Sequence, residues 1–180
     1  SVLRTEMKTI GYDRPIWVTE TGGPHPCTSP QSAQEPPPER QSSEVVKRYV
    51  ELLSAGVERV FWFGLQRDTT PAWRCSGGDS GFDFMMLIRG QERRLAFSTY
   101  QLMVQKLDGF TAVERVNIGE GISAFRFSVR SGSAVVLWAD KDRVVNLAGT
   151  AGDVSVTDIL GRPSRSSASA IPVTTSPLFV

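Results

Sequence analysis

One carboxylate stands out by its setting. Pro15, Ile16, Trp17 and Val18 lead through Thr19 to Glu20, and Thr21, Gly22 and Gly23 follow at once. Ile16, Trp17 and Val18 favour strands, and so short an apolar run predicts a strand buried on both faces. Glu20 then falls just past the carboxyl end of that strand, the edge where parallel α/β folds collect their reactive groups. There it is a candidate nucleophile, general base or metal ligand. The plainer alternative is an acidic turn or helix-capping residue. Other acids offer less. Asp68 follows a second apolar run and sits beside Arg67, which suits a loop-capping or ion-paired aspartate. Asp79 and Asp83 lie in a glycine-rich stretch without calcium-loop spacing. His25 and Cys27 are too few for zinc, which takes about four ligands, so no metal site is expected.

The elements that must position Glu20 follow from periodicity. Residues 3, 7 and 10 are apolar at helical spacing, and Gly11 ends that segment. Residues 22–41 hold six prolines and predict a loop, too proline-rich for helix or central strand. Ser42 or Ser43 is the expected cap of a helix carrying Val45, Val46, Tyr49, Leu52 and Leu53 as its apolar stripe, with Gly56 as its stop. Residues 57–65 predict a second buried strand. Strand, helix, strand makes a right-handed βαβ unit with parallel strands. Residues 66–91 form another long loop, and 93–107 a helix ended by Asp108 and Gly109. Beyond residue 110 the pattern becomes short strands at 113–118, 122–129, 134–139, 143–147, 154–159 and 171–174, separated by turn residues. That spacing predicts an antiparallel β-sandwich, with residues 164–169 as an exposed serine-rich loop. The expected division is 1–110 and 111–180.

Composition narrows the partners. The 180 residues carry a net charge of +1, with basic residues scattered, so neither nucleic acid nor an anionic membrane is an expected partner. No apolar run is long enough to span a bilayer. No signal peptide is read at the N-terminus, which also lacks an initiator Met; the native chain is expected to begin further upstream. Cys27 and Cys75 each fall in a loop after a predicted strand, on the same sheet edge. They are a candidate disulfide, which would imply an oxidising, secreted or periplasmic setting; the alternative is two unrelated thiols.

The string PIWVTETGG resembles the seventh-strand motif of clan A glycoside hydrolases, the retaining glycosidases built on a (β/α)8 barrel. Residues 56–65, GVERVFWFGL, are similar to the eighth strand of that clan, residues 95–107 to its last helix, and the tail to the small β-sandwich that follows the barrel in several of its families. The resemblance covers the whole chain, but as the end of such an enzyme: a barrel takes about 250 residues. It implies that Glu20 is the nucleophile and that the substrate is an oligo- or polysaccharide with β-linkages; no cofactor is called for. The partner carboxyl of that clan follows an Asn at the end of the fourth strand, and no such segment is present, so the missing N-terminal barrel portion must supply it. Aromatic residues commonly floor the sugar site after the eighth strand. Strand alternation lets only one of Trp62 and Phe63 point inward, with Trp62 slightly preferred, and Trp73 is a rim candidate. Trp17 and Trp138 are expected in the core. The competing reading is a non-catalytic carbohydrate-binding or structural β-sandwich carrying an inactive α/β remnant.

Overall fold

The computed structural model describes residues 2–23, 37–67 and 85–180. Cys27, Cys75 and Trp73, with His25, Asp68, Asp79 and Asp83, lie outside them.

The α/β part runs α1 (Val2–Thr9), β1 (Trp17–Thr21), α2 (Pro38–Ser54) and β2 (Arg59–Trp62). β1 and β2 pair in parallel as a two-stranded sheet, the expected βαβ unit. α2 starts earlier than the serines suggested. Pro38 occupies the first turn, where its missing N–H costs no hydrogen bond, and Glu39 suits the positive end of the helix dipole. Ser42 and Ser43 are therefore not caps but buried residues of the helix. Ser42 Oγ donates to the Pro38 carbonyl at 3.0 Å and Ser43 Oγ to Ser176 Oγ at 3.4 Å. The helix stops as expected: Ala55 caps it, and Gly56 takes φ +85°, which a side chain resists.

The two ends of the loop expected at 66–91 lie in strands. Short strands β3 (Gln66–Arg67), β4 (Ile88–Arg89) and β5 (Glu92–Arg93) form a three-stranded sheet before α3 (Leu95–Leu107). α3 turns Ala96, Thr99, Met103 and Leu107 inward at three- and four-residue spacing.

The remaining strands are β6 (Ala112–Arg115), β7 (Ile122–Val129), β8 (Gly132–Ala139), β9 (Arg143–Val145), β10 (Asp153–Asp158), β11 (Pro163–Ser167), β12 (Ile171–Val173) and β13 (Leu178–Phe179). Six of them form an antiparallel sheet in the order β11-β10-β13-β8-β7-β6, and β12 pairs with β9. Residues 164–167 of the loop expected at 164–169 belong instead, with Pro163, to the edge strand β11. An edge tolerates both its serines and Pro163 at its first position, because one row of backbone groups needs no strand partner.

The six-stranded sheet has two apolar faces. Phe125, Phe127, Val136, Trp138 and Phe179 pack with Val45, Val46, Tyr49 and Val50 of α2 and Met103 and Leu107 of α3. Ala124, Leu137 and Ala139 pack with Val145, Val156, Ile171 and Val173 on the other side. Trp138 is buried, as expected. One hydrophobic cluster thus draws on residues from both sides of position 110.

Candidate active site

Two strands cannot cover each other's faces. In β2, Val60 and Trp62 pack against the helical cluster, while Arg59 and Phe61 face away and are exposed. Trp17 lies with Phe61, ring centroids 6.4 Å apart, and the Arg59 guanidinium sits 5.2 Å from the Trp17 ring. The expected burial on both faces is therefore not met within these residues. Trp17, expected in the core, is 53% exposed and Phe61 48%. Among the described residues β1 and β2 have no further strand neighbour: α2 covers one face and nothing described covers the other.

Glu20 is the fourth residue of β1, not the first beyond it, and is exposed. Its direction depends on an irregularity. Val18 pairs with Val60, yet Thr21, not Glu20, pairs with Trp62, so β1 holds one extra residue between the two pairs. Strict alternation would send Glu20 the way of Val18, toward the helices. The bulge hands that face to Thr21 and leaves Glu20 on the open face with Phe61. Bulges re-aim side chains in this manner. The ladder continues one step beyond β2, where the Phe63 N–H donates to the Thr21 carbonyl at 2.7 Å.

The two aromatic candidates part company here. Trp62 faces the helices, and its indole N–H donates to the Met85 carbonyl at 2.6 Å. Phe63, one residue on, is 37% exposed at the same strand ends as Glu20; the Phe63–Gly64 peptide is cis. Behind Trp62, Tyr49 meets Tyr100 hydroxyl to hydroxyl at 3.4 Å. Burial, reinforced by that contact, pushes the Tyr49 phenol above its ordinary value, so it stays neutral.

The glycines after Glu20 have a packing reason. A Cβ on Gly22 would stand 2.6 Å from the Phe63 carbonyl oxygen and 2.7 Å from Met85 Sδ. One on Gly23 would stand 2.9 Å from the Arg48 guanidinium. Arg48 is in turn held by Glu44 at 3.2 Å. The backbone after β1 can thus press against the backbone after β2 only without side chains. Sequence reasoning gave Phe61, Gly22 and Met85 no role of their own, and only contacts between segments distant in the chain reveal it. Among the described residues no group of three or more His, Cys, Asp or Glu stands together as a metal ion would need.

No family model matches this sequence, and no curated protein does. Solved structures do match. A family 39 glycoside hydrolase from the gut symbiont Bacteroides cellulosilyticus superposes with a TM-score of 0.71 at 14% identity, over 99% of this chain and 36% of its own. A family 30 subfamily 8 xylanase from Clostridium acetobutylicum gives 0.52 at 11% identity, over 97% of this chain and 44% of its own. This chain therefore spans less than half of either protein. At such identities the likeness is one of fold, and it agrees with the clan A resemblance of the sequence: the chain has the fold of a part of these glycoside hydrolases.

Proposed function

We propose that the chain is the C-terminal portion of a retaining glycoside hydrolase that cleaves β-linked glycans, with Glu20 as its nucleophile. Residues 1–110 contribute the last strand and helix units of a barrel, and residues 111–180 a β-sandwich appended to it. The observation that carries this reading is the bulge in β1, which puts the Glu20 carboxylate on the open face of the βαβ unit, at the strand ends where Phe63 emerges. In a completed barrel that face is the interior.

The chemistry follows from two carboxyl groups about 5–5.5 Å apart. Glu20 attacks the anomeric carbon, and the bond to the leaving oxygen breaks as the new C–O bond forms. The second carboxyl, carried by the barrel portion outside this chain, gives its proton to the leaving oxygen. It then takes a proton from water, which attacks the glycosyl ester and frees Glu20. Phe63 offers a flat apolar face to the sugar ring. Trp62 backs the site from the helix side.

The test uses the full-length protein and a β-1,4-xylan, chosen because one structural neighbour is a xylanase, followed by other β-glycans. Glu20→Gln is nearly isosteric, so it should keep the melting temperature and abolish release of reducing ends. A mechanism-based fluoroglycoside should add its glycosyl mass to the peptide carrying Glu20. Turnover retained in E20Q refutes the assignment.

A further inference from the structure

A groove of about 450 Å³ lies where α2 crosses β7 and β8, lined by Lys47, Arg115, Ser123, Trp138, Asp140 and Thr175 among others. A second, of about 350 Å³, continues along α2 past Ser43 and Glu44 and shares Lys47 and Thr175 with the first. Neither includes Glu20 or Phe63.

Strand register builds one wall of the groove. Arg115 stands opposite Phe125, and Ser123 opposite Trp138, all on the face turned toward α2. Phe125 and Trp138 stack at 5.3 Å. The Arg115 guanidinium lies 5.8 Å from the Phe125 ring, and the Lys47 ammonium 5.7 Å from the Trp138 ring. Two cations thus rest on a stacked aromatic pair. Neither forms an ion pair among the described residues. The nearby carboxylates are engaged elsewhere: Asp140 with Arg143 at 2.9 Å, Glu44 with Arg48 at 3.2 Å. The Arg143 hydrogen bond holds the Asp140 carboxyl below its usual range, so it stays ionised and can only accept. Glu39 and Arg40 both line the second groove.

A cation seated on a ring has lost water on one side and part of its freedom, which lowers what an incoming anion must reorganise. Both volumes fall in the range that small ligands occupy. The hydroxyls of Ser123 and Thr175 and the fixed Asp140 carboxylate suit a partner with several hydroxyl groups. We infer that this groove binds a sugar bearing a carboxylate, the carboxylate facing Lys47 and Arg115 and the hydroxyls facing Ser123, Thr175 and Asp140. The choice of a sugar rests on the glycan reading above, whereas the two cations by themselves call for an anion.

Isothermal titration of the full-length protein with sodium glucuronate, glucose and sodium sulfate, at matched ionic strength, tests the inference. Glucuronate should bind at least tenfold more tightly than either of the others. Lys47→Met and Arg115→Gln should each weaken it about tenfold or more, the loss expected of one charge-assisted hydrogen bond. Both variants should melt with the parent, and exposed Arg115 provides the second variant should Lys47→Met fail to fold. Glu20→Gln should bind glucuronate unchanged. Absent binding, equal affinity for glucose or sulfate, or full affinity in both folded variants would overturn the inference, as would loss of binding in E20Q. The hydrolase reading stands or falls separately, on turnover: an empty groove in an active enzyme refutes the groove alone, and an active E20Q refutes the nucleophile alone.

Discussion

Gly22→Ala tests whether the contact between the two strand ends sets the site. The new Cβ would lie 2.6 Å from the Phe63 carbonyl oxygen, about 0.8 Å inside the 3.4 Å at which ordinary contact begins. It would also lie 2.7 Å from Met85 Sδ. The thioether can swing away, but the carbonyl belongs to a backbone tied to Thr21 by a 2.7 Å hydrogen bond. Relief must therefore come from parting the ends of β1 and β2. Overpacking of this kind costs about 1–3 kcal/mol, read as a lowered melting temperature. The same movement displaces Glu20 relative to Phe63. A displacement approaching 1 Å at a reacting group lowers turnover by about 10²-fold. Thermal unfolding and kcat/KM on the glycan substrate, both in the full-length protein, measure the two effects. Adding Met85→Ala should relieve the sulfur contact only and leave most of both losses in place. A G22A protein that melts and turns over like the parent refutes the idea that backbone contact between these strands positions the site. Full recovery in G22A/M85A would trace the strain to the methionine alone.

Two further predictions concern the bond from α3 to Ile159 and the turn beside it that joins β10 to β11. Thr99 is wholly buried, and its hydroxyl lies 2.8 Å from the Ile159 carbonyl and 3.2 Å from that of Leu95. Thr99→Val keeps the shape but leaves the Ile159 carbonyl without that donor, so chemical denaturation should show a loss of about 1–3 kcal/mol; an unchanged midpoint excludes the bond as a fastening. Burial pushes the Asp158 carboxyl up, but hydrogen bonds from the backbone and side chain of Arg162 and the backbone of Leu160 outweigh it and hold it below 3.8. A depressed carboxyl stabilises the fold fully above its unfolded value and loses that contribution as pH falls through the folded one. Asp158→Asn should therefore lower the melting temperature well above pH 3.8 and close the gap to the parent well below it; a gap independent of pH would remove the Arg162 turn from the account.

The order of elements, the parallel βαβ unit, the helix stop at Gly56 and the placement of Glu20 near a strand end all follow from local rules, namely periodicity, glycine and strand propensity. These act over a few residues, so one sequence suffices to apply them. Other features required the fold. Alternation alone sends Glu20 and Val18 to one face, and only pairing with β2 exposes the extra residue that separates them. Phe63 and Trp62 are equivalent by type, and the helical cluster chose Trp62. Ser42 and Ser43 look like caps until the packing of α2 draws them inside, and the serines of β11 look like a loop until β10 offers them a ladder. Leu137 and Trp138 are adjacent apolar residues whose strand is buried on both sides, because helices cover one face of the sheet and β9 and β12 the other. In each case the deciding partner is distant in the chain. Pairing and burial energies depend on that partner, and local sequence does not contain it.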